Sequence, residues 1–323
     1  MKTKISVLGC GRWGSFHAWH ADHIGCDALL WGRPGSQRLA KLKNKRKNDY
    51  LTLPESVRLS DSLPEALNHA DLVIISIGSQ GLRTLCREIA SLSKALWETK
   101  TFVLCMKGLE LESGKRLSVV LREELGSTPG AAVWVGPGHV QDFLANIPNC
   151  MLLASDDETL PPRLADLLES PLIRFYYGAD LLGVEIGAAA KNVVGLAAGM
   201  LDGLGLPSLK GALMARGAAE LSRLVGAMGG DPMTVYVLSH LGDYEATLFS
   251  PHSNNRRFGE NLVRGLPSEK LAEGVSTADA LLVLGKQYGT ELPITQTVHN
   301  VIREKADPRD ALSRLFLRKR KSE

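Results

Sequence analysis

Close to the N-terminus, Gly9-Cys10-Gly11-Arg12-Trp13-Gly14 follows a short apolar run, Ile5 to Leu8, and precedes a stretch long enough for a helix. Glycines at this spacing permit a tight turn, let a backbone approach a pyrophosphate and let a helix pack on its strand. The segment therefore reads as a dinucleotide fingerprint, and a bare tight turn is the bland alternative. The next apolar run ends Leu30-Trp31-Gly32-Arg33, near the ~20-residue spacing at which an NAD-binding protein presents an acid to the ribose hydroxyls. No acid stands there. Arg33 can accept a 2′-phosphate instead, which favours NADP over NAD; a solvent-facing arginine is the competing reading. Further on, Lys191 sits among Ala188-Ala189-Ala190 and Val193-Val194, where a surface lysine is out of place. Burial lowers a lysine pKa, which suits proton transfer, although a snorkelling or structurally paired lysine fits the same pattern. Asp202 follows eleven residues later, about three helical turns on and nearly on the same face, so the two could share one cleft.

These residues need elements to hold them. Apolar, β-branched runs recur at Ile5 to Leu8, Ala28 to Trp31, Leu72 to Ile77, Thr101 to Cys105, Ala132 to Val135, Met151 to Ala154 and Arg174 to Tyr177. Continuous hydrophobicity suits strands buried on both faces, and helix-length stretches lie between most of them. The pattern is an α/β, doubly wound (Rossmann-type), mostly parallel sheet. After Gly178 come long Ala/Leu/Gly-rich segments, Gly183 to Gly203 and Ala212 to Met228, which read as helices. The expected division is a dinucleotide-binding domain over 1–178 and an all-helical catalytic and substrate domain over 179–323, with ligands at the strand carboxyl ends and in the cleft between domains.

The bulk composition narrows the function classes. With 323 residues, 44% hydrophobic and 23% charged, the chain can bury a large core, and a net charge of +3 is too balanced for a nucleic-acid partner. The run Arg318-Lys319-Arg320-Lys321 reads as a solvated end. Cys10, Cys26, Cys86, Cys105 and Cys150 form no CxxC or Cys/His cluster, which argues for reduced thiols and against a structural metal. Met1-Lys2-Thr3-Lys4 leads directly into a strand without a signal-peptide pattern, so a cytoplasmic location is expected. Gly183 to Leu206 resembles a membrane span in length, but Glu185, Lys191 and Asp202 lie within it, and it reads as a helix buried in protein.

Over nearly its whole length the chain resembles the NAD(P)-dependent glycerol-3-phosphate dehydrogenase family. The shared motifs run in order: GxGxWG at Gly9 to Gly14, Trp31-Gly32-Arg33, Lys107-Gly108-Leu109-Glu110, Gly136-Pro137, Gly183-Val184-Glu185, Lys191-Asn192, Asp202-Gly203-Leu204-Gly205, Arg216-Gly217, Leu241-Gly242-Asp243, Asn255-Arg256-Arg257-Phe258-Gly259 and Glu273-Gly274. The resemblance implies reduction of dihydroxyacetone phosphate to sn-glycerol 3-phosphate for glycerolipid synthesis, by a homodimer acting on a small triose phosphate. It makes Lys191 the general acid and base and Asp243 the residue that orients or polarises that centre. Lys107, Gly136, Asn192, Ser253 and Asn255 would position the substrate, with Ser253 equally a turn residue. Gly9, Gly11, Arg12, Trp13, Gly14, Arg33, Lys107, Val140, Leu271 and Glu273 would meet the cofactor, with Trp13 equally core packing. Departures concentrate at the substrate. Gly136-Pro137-Gly138 replaces the family's Gly-Pro-Ser, and Ser253-Asn254-Asn255 replaces Ser-Arg-Asn, so the arginine expected to grip the phosphate is absent. Leu206 to Lys210 is one residue short of the family's turn, and Gly78 stands for a usual proline. Two other functions therefore compete: a dehydrogenase of the same architecture acting on another hydroxy acid or polyol phosphate, and a low-turnover NADP-binding regulatory protein.

Overall fold

The computed structural model describes residues 2–127, 129–268 and 272–318. The chain forms two compact units, one made of residues up to Met106 together with Leu117–Leu181, the other of Lys107–Arg116 together with the chain from Leu182 onward.

The first unit alternates strands and helices: β1 (Lys4–Leu8), α1 (Arg12–His23), β2 (Asp27–Trp31), α2 (Gln37–Lys45), β3 (Arg58–Ser60), α3 (Leu63–His69), β4 (Leu72–Ile75), α4 (Leu82–Ala90), β5 (Thr101–Leu104), α5 (Leu117–Leu125), β6 (Gly130–Val135), α6 (Val140–Leu144), β7 (Asn149–Ala154), α7 (Leu160–Leu168) and β8 (Ile173–Gly178). The sheet runs β3-β2-β1-β4-β5-β6-β7-β8, parallel throughout except where β7 pairs antiparallel with β6. Strands β1, β2, β4, β5 and β6 are buried along almost their whole length, as continuous apolar runs require. At one edge β8 alternates, with Ile173 and Phe175 buried and Arg174, Tyr176 and Tyr177 exposed. The other edge is β3, whose three residues, Arg58-Leu59-Ser60, are too few and too polar to signal a strand in the sequence. Order reverses between β1 and β4, so the carboxyl ends of these two strands frame the switch point at which such sheets take ligands.

Among the described residues the second unit is helical: α8 (Leu181–Gly203), α9 (Lys210–Ala227), α10 (Asn254–Val263), α11 (Glu273–Gln287), α12 (Pro293–Arg303) and α13 (Pro308–Phe316). Helix α8 is long and apolar enough to cross a membrane, but most of its surface is buried in the protein as the central helix of its unit. Its glycines explain how neighbours come so close. A Cβ at Gly199 would lie 1.8 Å from the Arg256 carbonyl oxygen, and one at Gly259 would lie 2.1 Å from that of Leu196, so α8 and α10 touch backbone to backbone. Leu109, from the inserted segment, is fully buried in this unit's core beside Ile186, Val193 and Leu281.

Candidate active site

In the first unit the glycine loop leaves β1 at the switch point. Gly9 has φ +120°, and a Cβ there would stand 2.2 Å from the Ser76 carbonyl oxygen beyond β4. A Cβ at Gly14 would stand 1.7 Å from the Gly9 oxygen, so both glycines are demanded by the protein's own packing. Gly11 differs. A Cβ there would have no neighbour closer than an Arg38 guanidinium nitrogen at 3.7 Å, which leaves an open approach to the start of α1. No side chain caps that helix and no acid occupies its first turn, so the positive end of its dipole faces an anion without competition from a carboxylate. The loop thus fits a dinucleotide pyrophosphate.

Around it, the Arg12 guanidinium lies 5.6 Å from the Tyr50 ring centroid, and burial lowers its pKa. Trp13 packs edge-on to Phe16 and Phe143 at 5.6 and 6.4 Å, so its core role is evident. Arg33 is exposed after β2 and reaches across to Gly81, where a Cβ would come within 3.2 Å of Nη2. Val140 is buried at the start of α6. Gly136, φ +132°, follows β6 where β7 passes so near that a Cβ would meet Met151 Cα at 3.1 Å.

In the second unit α8 carries Lys191 into a buried polar cluster. The Asp243 carboxylate, 1% exposed, accepts from Lys191 Nζ at 2.6 Å and from Lys107 Nζ at 2.8 Å through the same oxygen. Lys191 Nζ also donates to Thr247 Oγ1 at 2.8 Å. Burial and the Lys107 charge lower the Lys191 pKa while Asp243 raises it, and the net effect brings it down to about 7. Such an amine exchanges its proton readily near neutral pH. Thr247 had not been singled out in the sequence. Its signal is the four-residue spacing from Asp243, and it lies on a π-helical turn, Glu245–Phe249, a distortion frequent at functional sites.

A relay of amides fixes the remaining elements. Asn192 Nδ2 donates to the Lys107 carbonyl at 2.8 Å, Asn255 Nδ2 donates to Asn192 Oδ1 at 2.9 Å, and the Gly274 N–H donates to Asn255 Oδ1 at 2.9 Å. The inserted loop, α8, α10 and α11 are thereby pinned to one another. Ser253 is the N-cap of α10, accepting from the Arg256 N–H. Glu273 opens α11, and Leu271 lies outside the described residues.

Lys191 and Asp202, which helical periodicity puts on nearly one face, bind different partners. Helix α8 does continue that far, but Asp202 binds Lys210 and Arg256, each at 2.8 Å, while Lys191 takes its carboxylate from Asp243. Arg256 is further held by Glu260 and the Ser250 carbonyl. Among the described residues no group of three or more His, Cys, Asp or Glu side chains is placed to hold a metal.

Residues 4–160 match the model of the NAD-dependent glycerol-3-phosphate dehydrogenase N-terminus, and residues 180–313 that of its C-terminus. The glycerol-3-phosphate dehydrogenase [NAD(P)+] of Streptomyces coelicolor is 36% identical, covering 99% of this chain and 98% of its own. That of Chlorobium limicola is 35% identical, covering 99% of each. The crystal structure of glycerol-3-phosphate dehydrogenase from Coxiella burnetii superposes with a TM-score of 0.91 at 29% identity, covering 98% of this chain and 99% of the other.

Proposed function

We propose that this chain, which belongs to the NAD-dependent glycerol-3-phosphate dehydrogenase family, reduces dihydroxyacetone phosphate to sn-glycerol 3-phosphate with NADPH or NADH, and runs the reverse oxidation. The observation that carries the reading is the buried Lys191 amine held against Asp243 and Lys107. When bound, the reduced dinucleotide supplies a hydride to the ketone carbon. Lys191 Nζ gives its proton to the ketone oxygen as that oxygen becomes an alkoxide, and in oxidation the neutral amine takes the hydroxyl proton back. Asp243 keeps the amine in place and sustains its charge, while Lys107 prevents the pair from becoming so stable that the proton is withheld. Thr247 orients the amine from a second side. Asn192 and Asn255 hold the substrate-side loops, and Gly136 and Ser253 are assigned to the same task.

The first turn of α1 with Gly9, Gly11 and Gly14 receives the pyrophosphate, flanked by Arg12, Trp13 and Val140. Exposed Arg33 takes the 2′-phosphate, which supports a preference for NADPH. Met233, Tyr236 and Val237, all exposed on one short turn, support a homodimer. The scatter of the cysteines along the sequence, without a CxxC pattern, supports a cytoplasmic location.

One observation favours the second reading, a related hydroxy acid or polyol phosphate as substrate. Asn254 replaces the arginine, and Arg256 is already occupied by Asp202 and Glu260. Nicotinamide absorbance after mixing with NADPH and a panel of ketones decides between them. Rapid loss with dihydroxyacetone phosphate is expected; loss only with another ketone overturns the substrate, and no loss with any ketone overturns the activity.

A further inference from the structure

His240 and Tyr244 are fully buried and flank Asp243 in the chain. His240 Nδ1 lies 2.9 Å from the Gly187 carbonyl oxygen, and Tyr244 OH lies 2.5 Å from His240 Nε2. A carbonyl only accepts, so Nδ1 carries the proton and donates it, and Nε2 accepts from the tyrosine. Burial lowers the His240 pKa to about 4 and raises that of Tyr244, so this neutral donor chain holds throughout the working pH range.

Gly187 stands one turn before Lys191 on α8, and its carbonyl is the one that the Lys191 backbone N–H meets in the helix. The approach is close, since a Cβ at 187 would stand 3.1 Å from His240 Cβ and 3.2 Å from Ser239 Oγ. The Asp243 N–H in turn donates to the His240 carbonyl at 3.0 Å. At the far end Tyr244 OH rests against α9, where a Cβ at Gly217 would come within 3.2 Å of it. The charged and titratable groups acting on this pair are Lys191 and Asp243 at His240, and Glu220 and Tyr236 at Tyr244.

We propose that the His240–Tyr244 pair is a positioning unit that fixes the Asp243 carboxylate against the Lys191 amine by clamping the turn of α8 from which Lys191 projects. Neither residue touches the reacting atoms. The inference rests on the reading of Lys191 as proton donor, and its consequence is electrostatic. If the clamp loosens, Asp243 recedes, the ammonium loses part of its support and the amine titrates at lower pH.

The test is the pH profile of kcat for ketone reduction in the wild type, Lys191→Arg, Tyr244→Phe and His240→Asn, with KM and NADPH affinity measured alongside. Tyr244→Phe removes one hydroxyl and keeps the ring. It should lower kcat about tenfold, move the alkaline limb acidward by about half to one pH unit, and leave KM and NADPH affinity within about twofold. His240→Asn keeps a donor for the Gly187 carbonyl and should lie between Tyr244→Phe and the wild type. A wild-type limb that is present, altered by Lys191→Arg, and unmoved in both pair variants overturns the positioning role alone. A wild-type limb indifferent to Lys191→Arg overturns the lysine reading, and this inference with it.

Discussion

Inside the apolar helix α8 the Lys191 charge meets the Asp243 carboxylate, which also holds the Lys107 amine, and the Thr247 hydroxyl. The lysine was legible as a charge in an apolar stretch; its partner was legible only through the family resemblance, which assigns Asp243 to that centre. Helical periodicity tells which residues share a face, which is why Asp202 suggested itself, but Asp243 arrives from another element and no spacing announces it. Lys191→Ala should lower kcat by ~10²- to 10⁴-fold, the usual cost of losing a general acid, with NADPH affinity nearly unchanged. A variant retaining half its activity removes the lysine from the chemistry. The sign of the pH dependence follows from a pKa of about 7: reduction needs the ammonium and should decline as pH rises through about 7, whereas oxidation needs the amine and should rise over the same range. Profiles with the same slope in both directions would contradict the assignment. Arg33 gives a separate prediction, since it is exposed with its guanidinium near Gly81. Arg33→Asp should swing the ratio of kcat/KM values from NADPH toward NADH, because a carboxylate repels a 2′-phosphate and accepts from ribose hydroxyls. An unaltered ratio would place the 2′-phosphate elsewhere.

At the level of elements, the parallel strands were readable as continuous apolar runs, and α8 and α9 as long small-residue segments. The contact between α8 and α10 was not, because Gly199 and Gly259 look like any other glycines until another backbone is found against them. Gly199→Ala must push α10 aside, and with it Ser253 and Asn255 at that helix's start. The expected cost is about 1–3 kcal/mol or more in urea unfolding, together with a higher KM for the ketone. Normal stability and KM would mean that α10 shifts freely. The same helix carries the departure at Asn254. Because Arg256 is engaged by Asp202, Glu260 and the Ser250 carbonyl, it is poorly placed to replace the missing arginine, whereas Arg257 is exposed. A hydrogen bond to a charged group contributes about 1.5 to 3 kcal/mol, roughly 10- to 150-fold in affinity. Asn254→Arg should therefore lower KM for dihydroxyacetone phosphate about tenfold, and Arg257→Ala should raise it if that residue has taken over. Should neither change KM, this helix start does not bind the phosphate.

For the molecule as a whole, the feature hardest to read from sequence is the excursion of Lys107–Arg116 out of a βα repeat. Strand β5 and helix α5 are ordinary neighbours in the sequence pattern, and nothing in the stretch Lys107–Arg116 between them announces membership of the helical unit. Yet that segment brings Lys107 to Asp243, buries Leu109 completely, and sets Arg116 at 2.8 Å from Glu185, itself almost wholly buried. The helical unit is thus completed by residues borrowed from the middle of the dinucleotide-binding half. Leu109→Ala should cost about 2–5 kcal/mol, since a leucine so enclosed leaves a cavity behind, and should loosen Lys107 two residues away. The damage can be localised, because the five tryptophans, Trp13, Trp19, Trp31, Trp97 and Trp134, all belong to the first unit. Tryptophan fluorescence therefore follows that unit alone, whereas the far-ultraviolet helical signal follows both. Domains of one chain need not unfold in a single transition. In Leu109→Ala the helical signal should be lost at lower urea than in the wild type while the fluorescence transition stays where it was, and kcat should fall. If both transitions move down by the same amount, the two units unfold as one, and the inserted segment stabilises the whole chain rather than the helical half.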